Sequence, residues 1–373
     1  MKKLIVLLAG ALALSVTASL ALSGCSRREA RSGDSGGKPL VRMITDPNGI
    51  DDKSFNAAAW RGILDFYGDS WDNPAGRGTY YDYIVCSSDD VWEPTLKQAA
   101  DKGYDLIIAY GITAASALEK VSTSYPDQHF ASVDIDWYER PNIIQFMFRE
   151  EQGSYLAGMA AALKAVEDGV QNPKFGFIGG VPNPTITRFE MGYFQGIKAV
   201  LPDAEILDYY ANDWSAPNLA KTRAKSWFDS GVFAIFSAAG GTGNGAIAQA
   251  KEYRIQNKNV WAIGVDSDQY EDGIYSGSDS AVYTSMIKNV ELATLEVLKM
   301  VQSGTFKGGR TVLGMKENGV DYAKSNPAMS DAIKEKLDAA KQEITTGSIN
   351  VYASYKDTKA AGLAPEGLGA LDG

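Results

Sequence analysis

The 373-residue sequence predicts an α/β fold of two doubly wound lobes. Three observations predict it. Strand-like and helix-like runs alternate throughout the chain, which implies βαβ units and a parallel sheet. The strand-like runs are short and apolar without clean alternation, as suits sheets covered on both faces. The series also runs twice, one ending around residue 148 and the next starting around residue 174. Two such lobes facing each other place the loops at the strand carboxyl ends along one cleft, where open α/β sheets bind ligands.

The first 24 residues stand apart from this pattern. Lys2 and Lys3 form a basic start, residues 4–22 are almost wholly apolar, and Leu22-Ser23-Gly24-Cys25 ends the run with small residues. This reads as a lipoprotein signal peptide (1–24) with Cys25 as the acylated first residue of the mature chain. A single membrane-spanning anchor is the alternative, because the run is near spanning length. Acyl chains on Cys25 would hold the protein at the extracytoplasmic face of the cell membrane. Residues 25–38 carry one apolar side chain after the cysteine, Ala30, and read as a flexible tether. The folded part then starts near Pro39 and is long enough for two domains.

In the first series, strands are expected at 40–44, 81–86, 106–110, 130–133 and 143–148. The second series offers 175–178, 206–210, 233–237, 260–265 and 282–286. Amphipathic stretches at 57–66, 91–102, 151–166, 187–200, 218–228 and 246–253 supply helices between them. Crossings between lobes are expected near 146–153, 266–282 and 306–315. The helix at 288–302 is assigned to the first lobe and the Ala-, Lys- and Glu-rich helix at 330–345 to the second. Lobe 1 is then 39–148 plus 282–308, lobe 2 is 149–281 plus 309–360, and 361–373 is a tail. No repeat of fixed period is present, which excludes a solenoid.

Composition excludes some partners. The formal net charge is −10, and loss of Lys2 and Lys3 with the signal makes the mature chain more acidic. That argues against nucleic acid, which needs clustered Lys and Arg. Of two cysteines, lipidation consumes Cys25, so no disulfide framework is available. Cys86, in an apolar run, reads as a packed core thiol.

The loop 45–56, TDPNGIDDKSFN, is the most informative segment. It joins the strand at 40–44 to the helix at 57–66 and offers Asp46, Asn48 and Asn56 as polar contacts and Phe55 as a ring that stacks. An ordinary turn with a helix N-cap has the same composition. Asp134 and Asp136 follow the strand at 130–133 as acceptors for a ligand hydroxyl or ring nitrogen, or as a cap or surface ion pair. Asp266 ends the strand at 260–265, and Lys288 lies just past another. An Asp accepting from ribose hydroxyls and a Lys donating to a ring acceptor fit a nucleoside, although Lys288 also suits a surface ion pair. Trp214, ahead of the helix at 218–228, is a second flat ring or a hydrophobic staple onto that helix.

The segment 237–245, SAAGGTGNG, admits a dinucleotide reading. Gly241, Gly243 and Ala246 make a loose G-x-G-x-x-A, and Asp266 lies 23 residues beyond Gly243. Any glycine-rich strand-to-helix turn gives this pattern, and an exported protein has little dinucleotide to use. The neutral reading is close approach of a ligand to backbone. Catalytic signals are thin: the one histidine, His129, reads as structural, and no HExxH, CxxC or GxSxG motif is present. Asp46, Asn48 and Asp52 echo a calcium loop, but Ala57 stands where its closing Glu is needed.

Taken together, TDPNGIDDKSFNAAAWRG, ASVDID, FREEQGSYLAGMAA, FGFIGG, MGYFQGI, SAAGGTGNGA, AIGVDSDQ, YTSMIKNV and LGMKENGV resemble the basic membrane protein family of bacterial lipoproteins. These are purine nucleoside receptors of ABC transporters. The resemblance spans most of the mature chain and implies Rossmann-like lobes joined by a three-crossing hinge, the type I periplasmic-binding-protein fold. It implies no catalysis and no cofactor, a monomeric receptor, and a membrane permease as partner. It places the base between Phe55 and Trp214 and matches Asp46 and Asp134 to loop aspartates, Asp266 to the ribose-binding aspartate, Lys288 to the lysine, and Gly240 to the glycine loop. Two departures are Asn48, where the family commonly has Gly, and Trp214, where it usually has Phe. A sugar or signal receptor of the same fold and a surface nucleoside hydrolase are the alternatives.

Overall fold

The computed structural model describes residues 37–364. The expected signal peptide, Cys25, nearly all of the tether and the end of the tail lie outside the described residues.

The first half of the chain gives β1 (Val41–Thr45), α1 (Phe55–Tyr67), β2 (Tyr81–Val85), α2 (Trp92–Asp101), β3 (Leu106–Ala109), α3 (Ala115–Ser124), β4 (Phe130–Val133) and β5 (Ile143–Phe148). The second series gives α4 (Glu150–Glu167), β6 (Lys174–Gly179), α5 (Pro184–Val200), β7 (Glu205–Tyr210), α6 (Pro217–Asp229), β8 (Val232–Ala238), α7 (Asn244–Ile255) and β9 (Trp261–Asp266). A short hairpin, β10 (Ile274–Ser276) and β11 (Asp279–Ser280), precedes β12 (Val282–Lys288) and α8 (Val290–Gln302). The chain closes with β13 (Gly309–Leu313), β14 (Val320–Tyr322), α9 (Asp331–Thr346) and α10 (Tyr355–Ala360).

These strands form two six-stranded sheets, ordered β13-β5-β4-β3-β1-β2 and β14-β12-β9-β8-β6-β7. Every pairing in the first is parallel. In the second only β14 runs antiparallel. Each order reverses once, between β1 and β3 and between β6 and β8, the switch point at which a doubly wound sheet opens a crevice.

Both faces of each sheet are covered, which explains the continuous apolar runs. On β1 and β3, Met43 and Ile108 join the core under α1 and α8, whereas Ile44 and Ile107 face Trp92, Leu96 and Leu118 of α2 and α3. In the second lobe Phe177 and Phe236 pack with α4 and α5, and Ile178 and Ile235 with α6 and α7. The period-two alternation of strand side chains sorts them. Helices α4 and α5 approach unusually closely. A Cβ on Gly158 would sit 2.2 Å from the Tyr193 carbonyl oxygen, and one on Gly196 would sit 2.0 Å from that of Tyr155. The segments FREEQGSYLAGMAA and MGYFQGI are thus largely a helix-packing device.

The chain crosses between sheets at Arg149, at Asn289 and through residues 314–319. This corrects two expected boundaries. Residues 282–288 are not in lobe 1: β12 pairs parallel with β9 of the second sheet, so the middle crossing falls after Lys288 rather than within 266–282. Residues 309–313 are not in lobe 2: β13 pairs parallel with β5 and forms an edge of the first sheet. Helix α8 does pack against α1 of lobe 1.

Candidate functional site

The strand carboxyl ends of the two sheets face each other across a partly open cleft. Lobe 1 lines it with Asp46, Asn48, Asp52, Phe55 and Asn56 after β1, with Tyr110–Thr113 after β3, and with Asp134 after β4. Lobe 2 supplies Asn183, Thr185, Ile186 and Phe189 at the start of α5, Trp214 after β7, Ala238–Gly240 after β8, Asp266 at the end of β9 and Lys288 at the end of β12. Nine of the residues singled out from the sequence therefore meet in one cavity, whereas Asp136 lies outside it and forms the ion pair alternative, with Arg310 at 3.6 Å.

The loop after β1 is built around two carboxylates. Asp46 Oδ1 accepts from the Asn48 backbone N–H and from Asn56 Nδ2, both at 3.0 Å. Asp52 caps α1, accepting from the N–H groups of Ser54 (3.1 Å), Asn56 (2.8 Å) and Ala57 (2.9 Å). It thereby fixes Phe55 and Asn56 at the mouth of the helix. Burial raises the pKa of Asp46 and pushes that of Asp52 up to about 6. The Phe55 ring meets Tyr110 edge-on, with centroids 6.3 Å apart.

Trp214 is held from behind. Its indole lies against Gly180, where a Cβ would come within 2.2 Å of the ring. Its carbonyl accepts from the Thr242 N–H at 2.9 Å, while the Thr242 hydroxyl donates to the Asp213 carbonyl at 2.8 Å. The indole packs with the α4–α5 core rather than with the residues of α6, so the staple onto that helix is not what the structure forms. Gly240 takes φ +53°, which a residue with a side chain adopts rarely.

Lys288 is the electrostatic centre. It is 1% exposed, and its ammonium donates to both oxygens of Asp134 at 2.7 and 2.6 Å and lies 2.9 Å from Glu150. Glu150, fully buried, also pairs with Arg188 at 3.4 Å. The rings of Phe55, Phe148 and Phe189 surround the ammonium at 5.2–5.5 Å. Burial works against the charge on Lys288, but Asp134, Glu150 and Asp266 outweigh it and hold its pKa above the ordinary range. Burial raises Asp134 despite this partner, and the negative charge of nearby Glu150 adds to the rise. Asp266 is buried and accepts no side-chain hydrogen bond among the described residues; burial pushes it up to about 7. Asp134 and Asp266 both sit in the left-handed region, at φ +66° and +63°. Such strain costs of order 1–3 kcal/mol and gathers at working sites.

The lobes are bridged directly. Asn48 Nδ2 donates to the Trp214 carbonyl at 3.2 Å, Asn244 Nδ2 to the Asp52 carbonyl at 3.1 Å, and the Ser267 hydroxyl to the Ser54 carbonyl at 3.0 Å. Lys53 pairs with Asp272 at 2.7 Å. The structure is thus a closed form.

Sequence reasoning missed Tyr110–Thr113, the start of α5, and the Glu150–Arg188 pair. Asn183 carried a signal, since Asn followed by Pro marks a helix N-cap and N1; its side chain accepts from Thr185 N–H at 2.9 Å. The pairing of Glu150 with Lys288 had no local signal. His129 stacks on Phe306 with centroids 4.1 Å apart and does not line the cavity. Cys86 is a buried free thiol.

Two doubly wound lobes hinged over one cleft are the architecture of a protein that closes on a small solute. The chain belongs to the family described as "ABC transporter substrate-binding protein PnrA-like", whose profile matches residues 40–355. This is a class that binds and hands on solutes without catalysis. The chain is 36% identical to a CD4+ T-cell-stimulating antigen of Listeria innocua, over 91% of this chain and 97% of that protein. It is 34% identical to the ABC transporter nucleoside-binding protein BmpA of Lactococcus lactis, again over 91% of this chain and 97% of that one. Among solved structures, an ABC transporter solute-binding protein from Aeropyrum pernix has the same fold, with a TM-score of 0.74 at 24% identity, covering 86% of this chain and 96% of its own.

Proposed function

We propose that the protein is the lipid-anchored receptor of an ABC transporter that captures a purine nucleoside and delivers it to a membrane permease. Phe55 of lobe 1 and Trp214 of lobe 2 would enclose the base, each contributing about 1 kcal/mol beyond burial. Asp46, Asp134 and Lys288 would meet its polar edge, with Asn48, Asn56 and Gly240 completing the wall, and Asp266 would accept from the ribose hydroxyls. Acylated Cys25 would tether the domain beside its permease.

The observation that carries this reading is that two aromatic side chains from opposite lobes and a buried carboxylate, Asp266, with no side-chain donor among the described residues, line one cleft. A flat base with a hydroxyl-rich sugar matches both features. The nucleoside-binding name of the Lactococcus lactis relative supports it. Closure would follow from the hinge, the ligand stabilising the form in which both lobes touch it.

Thermal unfolding of the domain from Pro39, refolded to strip carried-over ligand, tests it. A purine nucleoside at 100 times its Kd stabilises by about 2.7 kcal/mol, with no shift from ribose. A shift with ribose and none with any nucleoside would replace this reading with a sugar receptor.

A further inference from the structure

The glycine-rich segment SAAGGTGNG and the tip Asp266-Ser267-Asp268-Gln269 each contain a residue that the cavity does not use. Neither Asn244 nor Ser267 lines it. Both reach instead across the cleft to main-chain carbonyls of the loop that carries Phe55. Asn244 Nδ2 meets the carbonyl of Asp52 at 3.1 Å, and the Ser267 hydroxyl meets that of Ser54 at 3.0 Å.

These two carbonyls flank the cap of α1. The Asp52 side chain holds the N–H groups of Ser54, Asn56 and Ala57, and so sets where Phe55 and Asn56 stand. Asn244 grips the same residue by its main chain. Its amide is oriented from lobe 2, because Asn244 Oδ1 lies 3.5 Å from Gln269 Nε2, while Gln269 Oε1 accepts from the Val265 N–H at 2.9 Å and the Gln269 N–H donates to Ser285 Oγ at 3.0 Å. Ser267 is oriented from lobe 1, accepting from Arg61 Nη2 at 2.6 Å. A continuous chain of hydrogen bonds thus runs from the lobe 2 sheet through Gln269, Asn244 and Asp52 to the helix end that presents Phe55. Its one link between lobes exists only when they are closed.

We infer that Asn244, seconded by Ser267, is a positioning residue that makes the Phe55 wall of the site rigid upon closure and so sets how long the solute is held. This rests on the nucleoside reading for its probe but not for its geometry. The link is absent while the lobes are apart, so it acts on release rather than capture.

Stopped-flow binding of inosine, guanosine and adenosine to wild type, Asn244→Ala, Asn244→Asp and Ser267→Ala tests it. Loss of one hydrogen bond predicts a dissociation rate raised about three- to tenfold in Asn244→Ala, with the association rate changed less than about twofold. Asn244→Asp keeps the shape but turns an acceptor toward the Asp52 carbonyl, and is expected to release at least as fast as the Ala variant. Ligand-free melting temperatures should stay at the wild-type value. In the nucleoside-bound proteins, backbone amide exchange at residues 54–57 should speed up in Asn244→Ala. Unchanged dissociation together with unchanged exchange overturns the inference, as does a loss of affinity carried by a lower melting temperature and a slower association rate. If wild type binds none of the three nucleosides, the functional reading fails by itself, and the exchange comparison, repeated with ribose closing the lobes as the sugar-receptor alternative requires, decides the link.

Discussion

Asp266→Asn should make the ligand-free protein more stable and a poorer receptor. The buried carboxyl titrates at about 7 against an ordinary 3.8. At about 1.4 kcal/mol per pH unit, keeping it ionised above pH 7 costs on the order of 4 kcal/mol of folding free energy. A buried amide in its place carries a desolvation cost of about 1–2 kcal/mol, leaving a net gain near 2 kcal/mol. The backbone adds no penalty, because Asn tolerates the φ of +63° at this position as well as Asp does. The sign with pH follows from the raised value. The folded state binds the proton more tightly than the unfolded one, so this group's contribution falls as pH rises from about 4 to about 7 and is level above that. Urea unfolding of ligand-free protein at pH 5 and pH 8 reads it: wild type loses stability across that interval, and the variant loses less. Binding moves the other way. Charge-assisted bonds to two hydroxyls are worth about 1.5–3 kcal/mol, so Kd should rise roughly 10- to 150-fold. A variant less stable than wild type at pH 8, or one that binds nucleoside with unchanged Kd, would refute this account of Asp266.

Lys288→Met leaves Asp134 and Glu150 buried without their shared ammonium, and should cost about 3–5 kcal/mol in urea unfolding at pH 8; a cost below about 1 kcal/mol would show that the fold does not depend on this ammonium. Phe55→Ala and Trp214→Ala should each weaken nucleoside binding by on the order of 2 kcal/mol, about thirtyfold in Kd by calorimetry, and a variant at the wild-type value would remove that ring from the site. Gly180→Ala drives a methyl to within 2.2 Å of the Trp214 indole and should push the ring into the cavity. It should raise Kd at least about tenfold; wild-type affinity would show that the indole has room to yield. Cys86 is buried, which raises its thiol pKa, and it should resist a maleimide at pH 7 until urea unfolds lobe 1; rapid labelling of native protein would place that thiol at the surface.

Most of this architecture was legible because burial on both faces writes itself into each strand. β3 reads as an unbroken apolar run and β4 as one broken only by the buried Ser132, and the loops that follow such strands can only open on one side. That is why Asp46, Asp134 and Asp266, each just past a run, could be placed together. Lobe membership was less legible. VYTSMIK of β12 and GRTVL of β13 have strand composition, but nothing local says which sheet takes them. That choice is made by long-range pairing with β9 and β5. Helix α3 was legible too, since Ala114, Ala117, Leu118 and Val121 fall at helical spacing, but it is not among the expected helices. Glu150 stands in the acidic first turn of α4, one residue ahead of the expected helix. Its second role as a fully buried partner of Lys288 and Arg188 depends on three segments meeting at the hinge, and no spacing in the sequence encodes that.

Calorimetric titration of the refolded domain from Pro39 with guanosine, inosine, adenosine, their free bases and ribose tests the central claim most directly. The account predicts one site per chain for at least one purine nucleoside, a weaker response to its free base, none to ribose, and loss of most of the affinity in the Phe55→Ala, Trp214→Ala double variant. No heat with any nucleoside, or binding that survives removal of both rings, would contradict it.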